Sequence, residues 1–94
     1  MRIRWLDQAV VDLVSVRNVI AQDNPLAARK LARHIGQAVS TLADYPAAGR
    51  PGRVPNTREL VVSGSPYILP YRVRGETVEI LRVLHGARRW PENF

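Results

Sequence analysis

The side chains in this sequence that could take part in acid–base or phosphate chemistry gather towards its carboxyl end. The stretch VEILRVLHGARRWPENF, residues 78–94, has His85 after an alternating apolar run and three residues before Arg88. Cleavage of RNA by its own 2′-hydroxyl needs a general base, a general acid and cations that stabilise the phosphorane charge. The candidate catalytic set is therefore Arg58, His85 and Arg88, with the histidine as base or acid.

Glu59 is an alternative base and Arg72 a third cation, but ordinary structural roles compete with these interpretations. Arg72 and Glu79 are expected on neighbouring strands, where an exposed ion pair contributes about 0–1 kcal/mol to stability. A histidine directly before Gly86 could instead hydrogen-bond the backbone of a turn. Both interpretations stay open at the level of the sequence.

Other familiar site chemistries find no support in the residues. His34 and His85 fall on different predicted elements without acidic neighbours at metal-ligand spacing, and the chain has no cysteine. Neither a G-x-S-x-G nucleophile motif nor a glycine-rich phosphate loop occurs. We therefore expect no metal, no cofactor and no small-molecule substrate.

The charge balance indicates a polyanionic or acidic partner. The 94 residues carry a formal net charge of +6, and thirteen of the fourteen basic residues are arginines, with Lys30 the exception. Arginine binds phosphate and carboxylate through a planar fork and is a poor proton shuttle, which favours recognition over lysine chemistry. An arginine-rich coding habit of the genome would give the same bias.

The length predicts one domain over residues 1–94, and the lack of an apolar run of about 18 residues predicts a cytoplasmic protein without a membrane span.

The first half of the sequence predicts a strand and a helical hairpin. MRIRW alternates apolar residues with arginines, as a short strand does. Asp7 is expected to cap a first helix, whose apolar residues recur at steps of three and four. Asn24 and Pro25 suit the cap and first position of a second helix. The predicted buried face of that second helix consists of Ala28, Leu31, Ile35, Ala38, Leu42 and Tyr45.

The second half predicts a loop and three strands. Residues 46–57, PAAGRPGRVPNT, are rich in proline and glycine and are expected to form a loop. TRELVV, YILPYRV and VEILRVL then alternate as strands, separated by the turns GSP and RGET. Pro70 lacks an amide donor, so its strand must lie at an edge or leave the proline unbonded. VEILRVL is apolar on both faces, which favours an interior strand.

The predicted fold class is α+β: an N-terminal strand, an antiparallel helical hairpin, then a three-stranded antiparallel meander with the helices on one face. This order, together with four segments, resembles the RelE/ParE superfamily, the toxins of bacterial type II toxin–antitoxin modules. The segments are the P-x-x-G-R-P-G-R loop and the strands RELVV, PYILPYRV and LRVLHGARRWP. The resemblance covers nearly the whole chain and implies a RelE/ParE-like fold.

The resemblance also implies a growth-arresting toxin that a cognate, ParD-like antitoxin neutralises in a hetero-oligomeric complex. An acidic, amphipathic segment of such a partner would meet basic side chains and an apolar groove beside the helices. The candidate partner-binding residues are Arg50, Arg53, Arg72, Arg82, Arg89 and Trp90.

Members of the resembled superfamily divide by target. RelE-like toxins are ribosome-dependent mRNA endoribonucleases with lysines in the loop and first meander strand, a middle-strand arginine and an acid or base near the carboxyl end. ParE-like toxins inhibit DNA gyrase. This chain has no lysine in its loop, Ile68 and Leu69 where the middle-strand arginine is sought, and Trp90 in its tail, although Arg88 matches a basic family position. The comparison favours a ParE-like toxin without enzymatic activity. His85 keeps the nuclease alternative open, and a non-toxic DNA-binding module is a third possibility.

Overall fold

The protein is described here by a computed structural model of residues 1–94, in which two helices pack on one face of a six-stranded sheet. None of its helices combines the length and apolar character needed to cross a bilayer. The helices are α1 Asp7–Asp23 and α2 Pro25–Ser40, followed by a short 3-10 turn over Thr41–Ala43. The strands are β1 Arg2–Trp5, β2 Arg50–Pro51, β3 Arg58–Val61, β4 Tyr67–Arg74, β5 Thr77–Ile80 and β6 Leu84–His85.

The sheet is mixed and has the strand order β1-β5-β4-β3-β2, with β6 also paired to β4. β1 runs parallel to β5, whereas the other neighbours are antiparallel. A parallel pair needs a long connection, and the chain between β1 and β5, which contains the helical hairpin and β2 to β4, supplies it. The α+β prediction is confirmed, and VEILRVL begins as the predicted interior strand. The N-terminal strand extends the predicted meander into a larger sheet, to which the short β2 and β6 are added.

The two helices begin in different ways. The Asn24 side chain accepts a hydrogen bond of 3.0 Å from the Ala27 amide, and Pro25 is the first residue of α2, as predicted. The predicted Asp7 cap is wrong. Leu6 holds the N-cap position, because its amide still donates to the Ile80 carbonyl of the sheet at 3.0 Å and the helix begins only after it. The leucine side chain has no acceptor, so this helix start has no side-chain cap. Asp7 is instead in the first turn, where its negative charge interacts favourably with the positive end of the helix dipole.

The core lies between the hairpin and the face of the sheet that we call the inner face. Tyr45 was expected in this core but is 69% exposed, because α2 ends at Ser40 and the chain turns away. Val39 is buried in α2 instead. The main core residues are Ala9, Ile35, Val39 and Leu42 of the helical half and Val62, Leu69, Tyr71, Val78, Ile80 and Val83 of the sheet half.

A β-bulge interrupts the predicted strand VEILRVL. Tyr71 pairs with Ile80 and Ile68 pairs with Leu84, so two residues of β4 face three residues, 81–83, of the opposite chain. One extra residue bends a strand and turns neighbouring side chains to the same side. The bulge therefore separates β5 from β6.

Pro70 lies directly across from this bulge. Its carbonyl accepts a hydrogen bond from the Leu81 amide at 2.9 Å. β4 is a central strand, so the proline is tolerated because the bulge leaves its missing N–H without a required partner. The second of the two predicted options for Pro70 is therefore the one adopted.

Candidate functional site

Several predicted site residues meet in a groove between α1 and the chain after β5, which we call the tail groove. Its volume is about 240 Å³. Val16 and Val19 form the α1 wall. The remaining lining residues are Ser15, Tyr67, Val83, Leu84, His85, Arg88, Arg89 and Trp90. Apolar walls beside two guanidinium groups and one imidazole suit a segment that carries both apolar and acidic side chains.

His85 is half-buried at the sheet end of the tail groove. Its Nδ1 accepts a hydrogen bond from the Ala87 amide at 3.2 Å, and its ring meets the edge of Tyr67 with centroids 5.7 Å apart. The turn contact anticipated from the sequence is therefore present. With Nδ1 as the acceptor, the neutral imidazole carries its proton on Nε2, the one ring nitrogen left for other chemistry.

Trp90 joins the tail to the body of the protein. Its Nε1 donates to the His85 carbonyl at 3.0 Å, and the Arg53 guanidinium carbon lies 3.5 Å from the centre of its ring. The second contact is a cation–π interaction between the tail and the 46–57 loop. Trp90 therefore fixes the tail to the body of the protein, and it also borders the groove in which a partner could contact it.

Glu59 anchors the 46–57 loop. Its Oε1 accepts hydrogen bonds from Arg50 Nε and Nη2 at 3.1 and 2.9 Å, and its Oε2 accepts one from the Arg53 amide at 2.8 Å. The Arg53 Nε lies 3.4 Å from the same Oε2. Glu59 is 3% exposed, so these contacts satisfy a buried carboxylate and leave it poorly suited to act as a base.

Arg58 differs from these residues because no carboxylate pairs with it. Its Nη1 donates to the carbonyl oxygens of Gly49 and Ala47 at 2.9 and 3.4 Å. The Tyr71 hydroxyl holds the same segment: it accepts from the Gly49 amide and donates to the Pro46 carbonyl, both at 2.8 Å. Burial is the main cause that raises the pKa of Tyr71.

Gly49 is required for this contact with Tyr71. A Cβ at position 49 would lie 2.5 Å from Tyr71 Cε1 and 2.6 Å from its hydroxyl oxygen. The glycine of the P-x-x-G-R motif thus allows the loop backbone to approach the tyrosine.

The three candidate catalytic residues do not share one site. His85 and Arg88 line the tail groove, whereas Arg58 lines a separate cavity of about 350 Å³ with Arg72. Arg58 is opposite Tyr71 and His85 is opposite Tyr67. Tyr67 and Tyr71 are four positions apart in β4, which corresponds to about 13 Å along the strand. Arg58 and His85 are therefore separated by this distance, and they belong to strands on opposite sides of β4.

Three further arginines lie around the carboxylate of Glu79. Arg72 Nε donates to Glu79 Oε1 at 2.7 Å, the neighbouring-strand pair anticipated from the sequence. The pair is less exposed than expected, since Glu79 is 5% exposed. Arg4 and Arg74 approach the same carboxylate at 3.8 and 3.7 Å.

Asp12 of α1 is a structural residue that the sequence reasoning missed. Its carboxylate accepts hydrogen bonds from Arg82 Nε and Nη2 at 2.7 and 3.2 Å and from the Val83 amide at 3.0 Å. Both donors belong to the bulge. An acidic residue among the valines of VVDLV was the available signal, but nothing local indicates a partner 70 residues away.

Known proteins resemble this chain along nearly its whole length. The family model described as ParE toxin of type II toxin-antitoxin system, parDE, matches residues 3–90. The chain is 48% identical over 91 residues to the protein Y4kP of Sinorhizobium fredii, covering 97% of this chain and 94% of that protein. It is 40% identical over 84 residues to Toxin RelE2 of Caulobacter vibrioides, covering 89% of this chain and 93% of the relative.

Structural similarity agrees with these matches. A chain in a solved structure of the chromosomal ParDE TA system from P. aeruginosa has a TM-score of 0.82 and 31% sequence identity. The match covers 90% of this chain and 95% of the other. The residues matched by the family model run from β1 to Trp90 in the tail groove. This chain therefore belongs to the ParE toxin family of type II toxin–antitoxin systems, within the RelE/ParE superfamily.

Proposed function

We propose that this toxin inhibits DNA gyrase by binding to it and does not cut RNA. The separation of Arg58 from His85 and Arg88 argues against RNA cleavage, and the match to the ParE toxin family supports gyrase as the target. A transition state with a phosphorane needs acid, base and cations around the same phosphate, within hydrogen-bond reach. Arg58 and His85 line different cavities, and their backbone positions are roughly 13 Å apart along β4, which places their side chains poorly to surround one phosphate.

The pairing of the other arginines also supports a binding function. Arg50 and Arg53 contact Glu59, Arg72 contacts Glu79, and Arg82 contacts Asp12. A guanidinium already bound to a carboxylate has part of its charge compensated and stabilises a developing phosphate charge less well. These side chains organise the loop and the sheet.

The tail groove is the proposed docking site for a cognate antitoxin. Its apolar walls would take aliphatic side chains, while Arg88 and Arg89 would pair with carboxylates of the same segment. An acidic amphipathic segment meets both requirements. Because the fold needs neither exposed arginine, Arg88→Gln with Arg89→Gln should weaken antitoxin binding without changing thermal stability.

The proposed target is tested with purified toxin, relaxed plasmid and gyrase from the host. We expect loss of supercoiling or accumulation of gyrase-cleaved DNA, and recovery when cognate antitoxin is added. Antitoxin alone is the control. Full supercoiling activity in excess toxin would count against gyrase as the target.

One observation favours the nuclease alternative: Tyr67, His85 and Arg88 line the same groove. They would offer an acid, a base and one cation without Arg58. Primer extension on translated mRNA after toxin induction tests this function. New cut sites in the ribosomal A site, lost in His85→Gln, would favour it, and their absence would exclude it.

A further inference from the structure

The net positive charge of this protein belongs entirely to its sheet half. Residues 6–45, which contain both helices, carry four basic and four acidic residues and are formally neutral. The formal charge of +6 therefore comes from residues 1–5 and 46–94. A polyanion attracted by the overall charge would approach the sheet.

Four arginines form two rows on the outer face, the sheet face opposite the helices. Register pairs Arg4 with Glu79 and Glu79 with Arg72, so one row crosses β1, β5 and β4. The second row is Arg2, Thr77 and Arg74. Strand geometry separates the rows by about 7 Å and the two arginines within a row by about 10 Å. We call Arg2, Arg4, Arg72 and Arg74 the outer arginine face.

One buried carboxylate organises this surface without neutralising it. The Glu79 side chain is 7% exposed and binds Arg72 most closely, with Nε at 2.7 Å. Arg4 and Arg74 lie 3.8 and 3.7 Å from the same carboxylate, and their side chains are 69% and 68% exposed. Three guanidinium groups share one negative charge, so positive charge remains directed towards solvent.

Two exposed carboxylates lie near the outer arginine face. Glu76 is in the β4–β5 turn, and Glu92 of the tail lines a cavity with Arg72 and Arg74. Neither forms an ion pair within 4.0 Å. Glu92 would oppose an incoming anion, and its removal should strengthen anion binding.

The chemistry of this face fits a phosphate backbone better than a protein surface. The apolar residues nearest the arginines are covered: Ile68 is 8% exposed and Leu81 is 4% exposed, and Phe94 of the tail lines cavities beside Leu81. The exposed Val61 lies across from Ile68 on β3, away from the strands that carry the four arginines. A protein interface depends on an apolar centre that becomes desolvated, whereas DNA interfaces are more polar and strongly positive. Exposed arginines without an apolar centre match the second kind.

We propose that the outer arginine face docks the phosphate backbone of duplex DNA. The choice of DNA over RNA rests on the proposed function, because the substrate of gyrase is duplex DNA. The contact is independent of base sequence, because the four arginines lie on the face of a sheet and no element projects from it to reach base edges in a groove of the DNA.

The experiment measures fluorescence anisotropy of a short labelled DNA duplex with the full-length toxin at several salt concentrations. The variant Arg4→Gln with Arg74→Gln removes two exposed arginines of the face. Its matched control, Arg29→Gln with Arg33→Gln, removes the same charge from exposed positions on α2. Phosphate contacts give a salt slope of about −0.9 each, so the face variant should lose about two units of slope and at least about tenfold in affinity. The α2 variant should change little, and Glu92→Gln should bind more tightly.

Equal losses in the two double variants, or no binding of the duplex at low salt, would overturn the proposal. Tighter binding of an RNA duplex or of polyglutamate than of DNA would also overturn it and would identify the other class of partner. Gyrase supercoiling is measured on the same preparations. Failure to inhibit gyrase with DNA binding intact contradicts the proposed target alone, and inhibition without DNA binding contradicts this surface alone.

Discussion

Glu59 and Glu79 are the two carboxylates that this small protein buries, and each gathers arginines around itself. Glu59 contacts Arg50 and Arg53, and Glu79 contacts Arg72, Arg4 and Arg74. Burial of an unpaired carboxylate would be costly, so both residues depend on these partners. In return, each carboxylate fixes cations that would otherwise repel one another.

The Glu79 cluster predicts a dependence of stability on pH. The hydrogen bond from Arg72 is the main cause that lowers the pKa of Glu79 below its ordinary value of 4.5, despite the opposing effect of burial. A lowered folded-state pKa means that the ionised group stabilises the fold above about pH 4.5, and that this contribution disappears as pH falls through the lowered value. Glu79→Gln should therefore lower the melting temperature at neutral pH, and the difference from wild type should shrink in acid. Glu76→Gln is the exposed control, and a difference that stays constant down to pH 3 would refute the explanation.

The bulge between β5 and β6 depends on α1. Asp12 accepts hydrogen bonds from the bulged Val83 amide and from Arg82, so a helix side chain replaces partners that the interrupted ladder lacks. The bulge directs the chain into the tail groove. A residue of α1 therefore determines how the candidate site is presented.

Asp12→Ala should cost about 1.5–3 kcal/mol in the free energy of unfolding, because it removes charged hydrogen bonds at a largely buried position. Urea denaturation measures this loss, and hydrogen exchange of the Val83 amide should become faster. Asp23→Ala, exposed at the end of α1, is the matched control and should be nearly neutral. Similar losses in the two variants would show that the bulge does not depend on Asp12.

The tail and the 46–57 loop form a second coupled pair of elements. Trp90→Ala removes both the cation–π contact with Arg53 and the hydrogen bond to the His85 carbonyl. The first contact contributes about 0.5–1 kcal/mol. We expect faster amide exchange in residues 86–90 with unchanged exchange in β4. The effect should be smaller for Trp90→Phe, which keeps an aromatic ring for Arg53 but loses the N–H donor. Unchanged exchange in the tail after Trp90→Ala would mean that other contacts hold it.

For the whole molecule, local signals predicted the elements well, and long-range contacts account for what they missed. Asn24 and Pro25 start α2 as their chemistry predicts, since a cap acts within one turn. The parallel pairing of β1 with β5 joins residues about 75 positions apart, and no local pattern encodes it. The alternation in VEILRVL indicated a strand but could not reveal the bulge, which Asp12 and Pro70 support from other elements.

In the candidate site, too, the sequence predicted what depends on neighbouring residues and missed what depends on long-range contacts. Motif position brought His85, Arg88, Arg89 and Trp90 together, because they are neighbours in the chain and follow one strand. Arg58 could not be assigned from the sequence, because its distance from His85 depends on the register of β3 and β6 against β4. The carboxylate partners of Arg50, Arg53 and Arg82 also emerge only from the fold.

Inhibition of gyrase by binding, without catalysis, is tested most directly by comparing wild-type toxin with His85→Gln in supercoiling by host gyrase. A toxin that binds its target needs no proton transfer from position 85, and glutamine keeps hydrogen-bonding capacity and similar size. We predict that both proteins inhibit supercoiling, with less than about tenfold difference in the concentration required, a cost of about 1.4 kcal/mol or less. Unimpaired supercoiling in the presence of wild-type toxin that arrests growth, with growth arrest abolished by His85→Gln, would contradict the claim and point to a catalytic histidine.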